Sequence, residues 1–148
     1  MIPLLILPRQ AGKTTAAIKW CAQNKGTIIV SNRQRVDDIQ RVQDWFGLPE
    51  YYDINIHTER YFYNGYPMTG ENHNYILDEI FSFDNPIETI TRALIITGDS
   101  KKSKVACTGT PLGISVFQLI LDRFDIEVIK NAKMFLDYYE EKRLSFEF

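Results

Sequence analysis

Short apolar runs alternate with amphipathic stretches from one end of the 148-residue chain to the other. A strand inside a parallel sheet is buried on both faces and is therefore a continuous apolar run, whereas a covering helix has apolar residues three and four positions apart. The alternation predicts an α/β protein with three layers, in which helices cover both faces of a mostly parallel central sheet.

Six apolar runs predict strands, which lie at residues 3–7, 27–30, 54–58, 75–78, 104–107 and 125–129. Five stretches with helical periodicity lie at residues 13–24, 32–46, 86–97, 113–124 and 131–144. The aromatic segment 59–74, between the third and fourth strands, is predicted to be a loop.

Two of these helices have a predicted beginning. Ser31, with Gln34 three residues later, has the spacing of a capping box before the second helix. Pro86 is expected at the first position of the third helix, where the missing N–H of a proline costs no hydrogen bond. The residues expected to face the core from this third helix are Ile87, Ile90 and Leu94.

Composition indicates an ordinary folded protein. No linker, charged block or internal repeat divides the sequence, so residues 1–148 are expected to form a single domain. Apolar residues make up 45% of the chain and charged residues 24%, which excludes a disordered protein. The 17 Lys and Arg residues against 19 Asp and Glu residues give a net charge of −2, so DNA could be bound only through a local patch.

The two cysteines and the first apolar run indicate in which cellular compartment the protein is expected. Cys21 and Cys107 are far apart and lack metal-ligand spacing, which favours a reducing environment over a disulfide-rich secreted protein. The run from Ile2 to Leu7 is far shorter than the roughly 20 residues of a membrane-spanning helix. We therefore expect a cytoplasmic protein with no membrane partner, in the host cytoplasm if the chain is viral.

The segment Leu7-Pro-Arg-Gln-Ala-Gly-Lys-Thr14 lies between an apolar strand and a helix, which is the context of a phosphate-binding P-loop. Backbone N–H groups at the helix N-terminus can surround phosphate oxygens, the Lys13 ammonium can reach the β- and γ-phosphates, and the Thr14 hydroxyl can ligate Mg²⁺. Leu7 stands where the usual motif has its first glycine. A bare Gly-Lys-Thr also arises by chance, but here the flanking strand and helix favour the functional interpretation.

The predicted nucleotide-binding residues are Pro8, Arg9, Gln10, Ala11, Gly12, Lys13, Thr14 and Thr15.

A second motif is the strand Tyr75-Ile-Leu, which ends in Asp78 and Glu79. The carboxyl ends of parallel strands meet at one edge of the sheet, so both acids are expected beside the P-loop. Asp78 could hold Mg²⁺ through water, and Glu79 could orient and deprotonate an attacking water. The alternative is a strand that simply ends in two solvated acids.

A third motif, Val105-Ala-Cys-Thr108-Gly-Thr110, again brings hydroxyl groups to the end of an apolar strand. A threonine there could contact the γ-phosphate or the attacking water and transmit hydrolysis to the following chain. The alternative is an ordinary turn, because Gly109 and Pro111 are common turn residues.

Together the three motifs resemble the P-loop ATPases of the additional-strand, catalytic-glutamate class. The loop Arg9-Gln-Ala-Gly-Lys-Thr14 is especially similar to the deviant Walker A motif of phage large terminases, the motors that package viral DNA. Superfamily 1 and 2 helicases share much of the same layout. The resemblance implies a three-layer P-loop NTPase fold in which the Cys107 strand lies between the P-loop strand and the Asp78 strand.

The resemblance also implies roles for the motif residues. It implies a Walker A motif at residues 8–15, a Walker B motif at residues 75–78 and a coupling or sensor motif at residues 108–110. ATP and Mg²⁺ are the implied cofactors, with Thr14 and Asp78 at the metal. The expected catalytic residues are Glu79, Lys13, Arg9 and Thr108.

Related motors use an arginine to stabilise charge on the transferred phosphate. Arg9 could supply it in cis, or a neighbouring subunit could supply it in trans from Arg60, Arg92 or Arg123. The resemblance implies a small phage-type motor for DNA packaging or DNA metabolism. Because the arginine could come from another subunit, we expect the motor to act as a homo-oligomer or with a phage protein partner.

Two other functions remain open. A small P-loop kinase would transfer phosphate to a nucleoside or nucleotide and would not need Glu79 beside Asp78. An adaptor would bind nucleotide without hydrolysing it and use it only to set its conformation.

Three groups of residues are candidates for contacts with nucleic acid. One is the aromatic segment 60–63 with Tyr66, whose rings are more commonly packed against a sheet. The other two are basic: Arg33, Arg35 and Arg41 on the second helix, and Lys101, Lys102 and Lys104 before the fifth strand. His57 and His73 are isolated and are expected at the surface or in loops.

Overall fold

The structure, a computed structural model, describes residues 1–47, 49, 54–64, 74–97, 104–110 and 114–138. The strands within these residues are β1 (Ile2–Ile6), β2 (Thr27–Val30), β3 (Asn55–Thr58), β4 (Tyr75–Leu77), β5 (Val105–Gly109) and β6 (Ile126–Ile129). The helices are α1 (Lys13–Asn24), α2 (Arg33–Phe46), α3 (Glu59–Tyr63), α4 (Pro86–Thr97), α5 (Ile114–Arg123) and α6 (residues 132–138). A 3₁₀ turn, Ile80–Ser82, follows β4.

The strands form one parallel sheet in the order β3-β2-β4-β5-β1-β6. β5 lies between β1 and β4, because Cys107 is the register partner of Leu4 on one side and of Leu77 on the other. The predicted parallel sheet is confirmed, and the Cys107 strand has the position that the resemblance implied.

Apolar side chains cover the sheet on both faces. In β1, the neighbouring residues Leu4 and Leu5 are fully buried and belong to different core clusters, since successive side chains of a strand point to opposite faces. One cluster includes Trp20, Ile39 and Phe135 from α1, α2 and α6. The other includes Phe62, Ile90 and Ile120 from α3, α4 and α5. The predicted three-layer α/β fold is therefore confirmed.

Most predicted elements have the observed type, with ends that differ by one or two residues, but the segment after β3 differs in kind. Residues 59–63 form α3 instead of a loop. The Thr58 side chain accepts a hydrogen bond from the Tyr61 N–H at 3.2 Å, and the buried Phe62 ring lies 5.4 Å from that of Tyr75. A helix of five residues is too short to show periodicity in the sequence.

Residues 65–73 of that predicted loop lie outside the described residues, as do residues 139–144 of the last predicted helix.

Two predicted details of the helices are wrong. The residue that caps α2 is Asn32 and not Ser31: Asn32 has extended backbone, and its side chain accepts a hydrogen bond from the Arg35 N–H at 3.1 Å. In α4, Leu94 is 37% exposed and Ala93 is buried beside Ile90. The inward face of α4 therefore passes through Ala93, where a small side chain lets the helix approach the sheet.

Both cysteines are free thiols inside the core. Burial raises the pKa of Cys107 to about 12. The pKa of Cys21 is also raised well above its ordinary value, first by burial and then by the negative charge of Asp78. Among the described residues, no helix has the length and apolar character needed to cross a membrane.

A buried carboxylate, Glu59, joins α3 to the start of α4. Its oxygens accept hydrogen bonds from the Asp84 N–H at 2.9 Å, the Asn85 N–H at 3.0 Å and the Thr89 hydroxyl at 2.9 Å. Only 4% of Glu59 is exposed. Because the first N–H groups of a helix have no partner within it, this carboxylate supplies acceptors for two N–H groups at the start of α4 and for the buried Thr89 hydroxyl.

We expect Glu59→Gln to lower the free energy of unfolding by about 1–3 kcal/mol, since the new amide N–H₂ faces other donors. Urea unfolding measures the change. The matched control is Glu88→Gln on the exposed side of α4, which should shift the free energy by less than about 0.5 kcal/mol. Equal effects of the two substitutions would contradict the assigned role of Glu59.

Candidate functional site

An open cleft of about 610 Å³ lies at the carboxyl edge of the sheet. Its walls come from the loop after β1, the first turn of α1, two turns of α2 that carry Arg35 and Val42, and the residues that follow β4 and β5. This edge is where open α/β sheets bind ligands. The predicted loop residues that line the cleft are Arg9, Gln10, Gly12, Lys13, Thr14 and Thr15.

The loop before α1 leaves the first backbone N–H groups of that helix without a side-chain cap. Gly12 precedes the helix with φ 93°, a left-handed conformation that favours glycine. Glycine has no side chain that could cap the helix, and the first turn contains no acidic residue. The helix N-terminus therefore offers unsatisfied donors and a positive dipole end to an anion in the cleft.

The Lys13 ammonium lies under this loop. It donates hydrogen bonds to the carbonyl oxygens of Leu7 at 3.0 Å and Pro8 at 2.8 Å, and it lies 3.2 Å from Glu79 Oε1. Lys13 is only 6% exposed. Thus Pro8 takes part through its carbonyl group, and the lysine from the first motif contacts the glutamate from the second.

Asp78 is completely buried and both of its carboxylate oxygens are hydrogen-bonded. Oδ1 accepts from the Thr108 hydroxyl at 2.6 Å, and Oδ2 accepts from Arg35 Nη2 at 2.8 Å. Each oxygen retains a second lone pair, although Asp78 itself is not among the residues that line the cleft.

Glu79 has left-handed backbone, with φ 55° and ψ 57°. This conformation is uncommon for a residue other than glycine, and here several bonds hold it. The Glu79 N–H donates to the Thr108 hydroxyl at 3.0 Å. The carboxylate accepts from the Thr110 hydroxyl at 2.8 Å and from the Thr110 N–H at 3.2 Å. The end of β5 therefore fixes both acids.

The two threonines of the third motif have different positions. Thr108 is fully buried, and its hydroxyl bonds to Asp78 and to the backbone of Glu79. Thr110 lines the cleft. Thr108 is therefore a positioning residue for the acids, and Thr110 is the threonine that faces the cleft.

Arg35, like Val42 and Ser82, lines the cleft although the sequence analysis did not assign it to the site. It was grouped with exposed arginines on α2, yet its side chain lines the cleft and pairs with Asp78. Arg41 does belong to the surface, where it lies 3.3 Å from Asp38. Arg35 occupies the first turn of the helix after β2, and β2 is the neighbour of β4. The β2-β4 pairing is what brings Arg35 to the site, and the sequence analysis predicted neighbours for the Cys107 strand only.

The donor set at this edge suits a hard cation such as Mg²⁺. Asp78 and Thr14 offer oxygen atoms, and no group of three or more His, Cys, Asp or Glu side chains in the described part of the chain could hold a metal by itself. Mg²⁺ is commonly bound by one or two protein oxygens together with substrate phosphates and waters. Thr14 lines the cleft and Asp78 is fully buried, so this pair fits Mg²⁺ as a companion of a bound phosphate with water between Asp78 and the metal.

The other candidate arginines lie away from the cleft. Arg92 donates to the Phe62 carbonyl at 2.7 Å and lies 5.5 Å above the Phe62 ring. Arg92 and Arg123 line a different cavity, of about 510 Å³, between α4 and α5. Arg60 is exposed. Any contribution of these three arginines to the cleft would have to be made in trans.

The candidate nucleic-acid residues are only partly available at the surface. Phe62 is buried, whereas Tyr61 is 47% exposed and its ring lies 4.7 Å from that of His57. The Lys104 ammonium donates to the side chain of Asn24 at 2.8 Å. Three members of these sets, Tyr66, Lys101 and Lys102, lie outside the described residues, as does His73.

The fold is similar to that of a solved viral helicase. The sequence matches no protein-family model and no curated protein. One solved structure similar to this chain is arterivirus nonstructural protein 10, a helicase in complex with DNA, with a TM-score of 0.52 and 19% sequence identity. The match covers 86% of this chain and 35% of the helicase chain. At this identity the likeness shows the fold alone, which is an α/β fold of the P-loop NTPase type.

Proposed function

We propose that the chain binds ATP with Mg²⁺ in the cleft and hydrolyses the γ-phosphate. The observation that carries the proposal is the 3.2 Å contact between Lys13 at the uncapped start of α1 and Glu79 at the end of β4. Lys13, the lysine of the P-loop motif, and Glu79, one of the two adjacent acids, are 66 residues apart in the sequence. They meet at one edge of the sheet. Hydrolysis needs both groups at the same phosphate.

Binding begins at the loop. The phosphates are negatively charged, so the free N–H groups of α1 and the Lys13 ammonium attract them together. Thr14 and Asp78 would hold Mg²⁺ between them, and bound Mg²⁺ would supply positive charge to the β- and γ-phosphate oxygens. Arg9 and Gln10 line the outer part of the cleft, where they can contact the same phosphate groups.

Glu79 acts as the general base. As Lys13 turns from Glu79 to the phosphates, the carboxylate loses its cation and can accept a proton from water. The water oxygen forms a bond to the γ-phosphorus while the bond to the bridging oxygen breaks, and ADP leaves with that oxygen. Thr110 keeps the Glu79 carboxylate in place through two hydrogen bonds.

The biological role that we propose is a small phage-type motor for DNA packaging or DNA metabolism. The Arg9-Gln10 pair in the loop supports it, and a P-loop fold similar to that of a helicase is compatible with it. Such a motor would act as one domain in the cytoplasm with further subunits or a phage protein, and it would contact DNA through a local patch. Arg123 and Arg92 are the arginines that a neighbouring subunit could bring to the cleft.

A single-turnover assay with γ-labelled ATP tests the proposed reaction. We expect labelled inorganic phosphate, because in the proposed reaction Glu79 activates water. Label on an added nucleoside or nucleotide would instead indicate a kinase, and tight binding with neither product would indicate an adaptor. Either result would contradict hydrolysis as the function.

A further inference from the structure

The Arg35 guanidinium enters the cleft from the side opposite to Lys13. It belongs to α2, which follows β2, whereas Lys13 follows β1, and β4 and β5 lie between those strands. Asp78 and Glu79 at the end of β4 are therefore flanked by one cation on each side. A phosphate chain that starts at the α1 loop and extends towards Glu79 approaches Arg35 with its terminal group.

Arg35 uses few of its hydrogen-bond donors inside the protein. Nη2 donates to Asp78 at 2.8 Å, and Nη1 lies 3.9 Å from Asp38. Nε is buried and has no hydrogen-bond partner among the described residues. A guanidinium carries five N–H donors, so a side chain that is 28% exposed in this cleft has donors left for a ligand.

The charge and shape of the group suit a phosphate. Asp78 balances the positive charge of Arg35 in the buried part of the site, and Asp38 is partly exposed at the rim. A planar guanidinium forms parallel hydrogen bonds to the oxygens of one phosphate, which an ammonium group cannot do. Asn32 holds the first turn of α2 through the Arg35 N–H and so fixes where the side chain starts.

We infer that Arg35 bridges Asp78 and the terminal phosphate of the bound nucleotide, and that it makes the site prefer a triphosphate to a diphosphate. The inference rests on the proposed nucleotide binding and adds a residue that recognises one phosphate. In this arrangement Arg35 contacts only the third phosphate, because the loop already surrounds the inner ones. Its removal should therefore weaken binding of ATP and leave binding of ADP nearly unchanged.

The test compares affinities of the full chain for a non-hydrolysable ATP analogue and for ADP, each with Mg²⁺. Arg35→Ala is expected to weaken binding of the analogue at least tenfold and binding of ADP less than threefold. Arg35→Lys keeps the charge beside Asp78 but lacks the planar guanidinium. Its preference for the ATP analogue over ADP should fall by roughly threefold or more. Arg41→Ala, 71% exposed on the same helix, is the control and should change neither affinity.

The outcomes separate the inference from the function on which it rests. If the wild-type chain binds neither nucleotide, the proposed function fails. If it binds both but Arg35→Ala weakens them equally, or leaves their ratio unchanged, Arg35 does not recognise the terminal phosphate. The inference would also be overturned if Arg35→Ala bound both nucleotides at a lower Mg²⁺ concentration but with the wild-type ratio of affinities. Arg35 would then act only as a counter-ion of Asp78. Arg35→Lys decides the question if the alanine variant does not fold.

Discussion

Glu79→Gln is expected to lower the rate of ATP hydrolysis by roughly 10² to 10⁴ while ATP remains bound. Glutamine has the shape of glutamate, and its amide oxygen can still accept the hydrogen bond from the Thr110 N–H. It cannot take a proton from water. The loss should therefore appear in turnover and not in affinity, which distinguishes a missing base from a damaged cleft.

Phosphate release and nucleotide binding are both needed to check this result. Because the substitution also removes the negative partner of Lys13, we expect ATP to bind as tightly as before or more tightly. Glu88→Gln, an exposed acid of α4, is the control and should have the wild-type rate. Hydrolysis by Glu79→Gln at the wild-type rate would mean that Glu79 is not the base.

Lys13→Ala is expected to weaken ATP binding at least tenfold, or about 1.4 kcal/mol. The ammonium lies within hydrogen-bond or ion-pair distance of three oxygens, from Leu7, Pro8 and Glu79. Its removal takes away the cation that reaches past the backbone N–H groups. It also leaves the Glu79 carboxylate uncompensated beside the incoming phosphates, so repulsion adds to the lost attraction.

Titration with a fluorescent ATP analogue measures this loss. Lys19→Ala removes the same charge from the same helix but from a residue that does not line the cleft, and it should bind the analogue normally. An unchanged affinity in Lys13→Ala would contradict the assignment of the loop as a P-loop.

The sheet could be predicted because its strands are encoded locally. Runs such as Thr27–Val30 are apolar on both faces, and each is followed by a helix with one apolar side. The motifs then indicated which strand ends carry the chemistry. The position of β5 between β1 and β4 came from the resemblance and not from the pattern, since nothing in an apolar run specifies its neighbour.

The contacts that were missed connect residues far apart in sequence. Arg35 and Asp78 are 43 residues apart, and Glu59 and Thr89 are 30 apart. On α2 the arginines spread around the helix, so periodicity could not separate Arg35 from its exposed neighbours. Glu59 was predicted to lie in a polar and aromatic loop. A single buried carboxylate has no sequence pattern of its own, because its hydrogen-bond donors come from distant residues.

Backbone N–H chemical shifts during titration with Mg²⁺ and a non-hydrolysable ATP analogue test the central claim most directly, because they locate the binding site without assuming a reaction. We expect the largest changes at Gly12, Lys13 and Thr14, with further changes at Glu79 and Thr110. The amides around Arg92 and Arg123, in the cavity between α4 and α5, should remain unchanged. Changes centred on that second cavity, with none at Gly12 to Thr14, would contradict nucleotide binding by the P-loop.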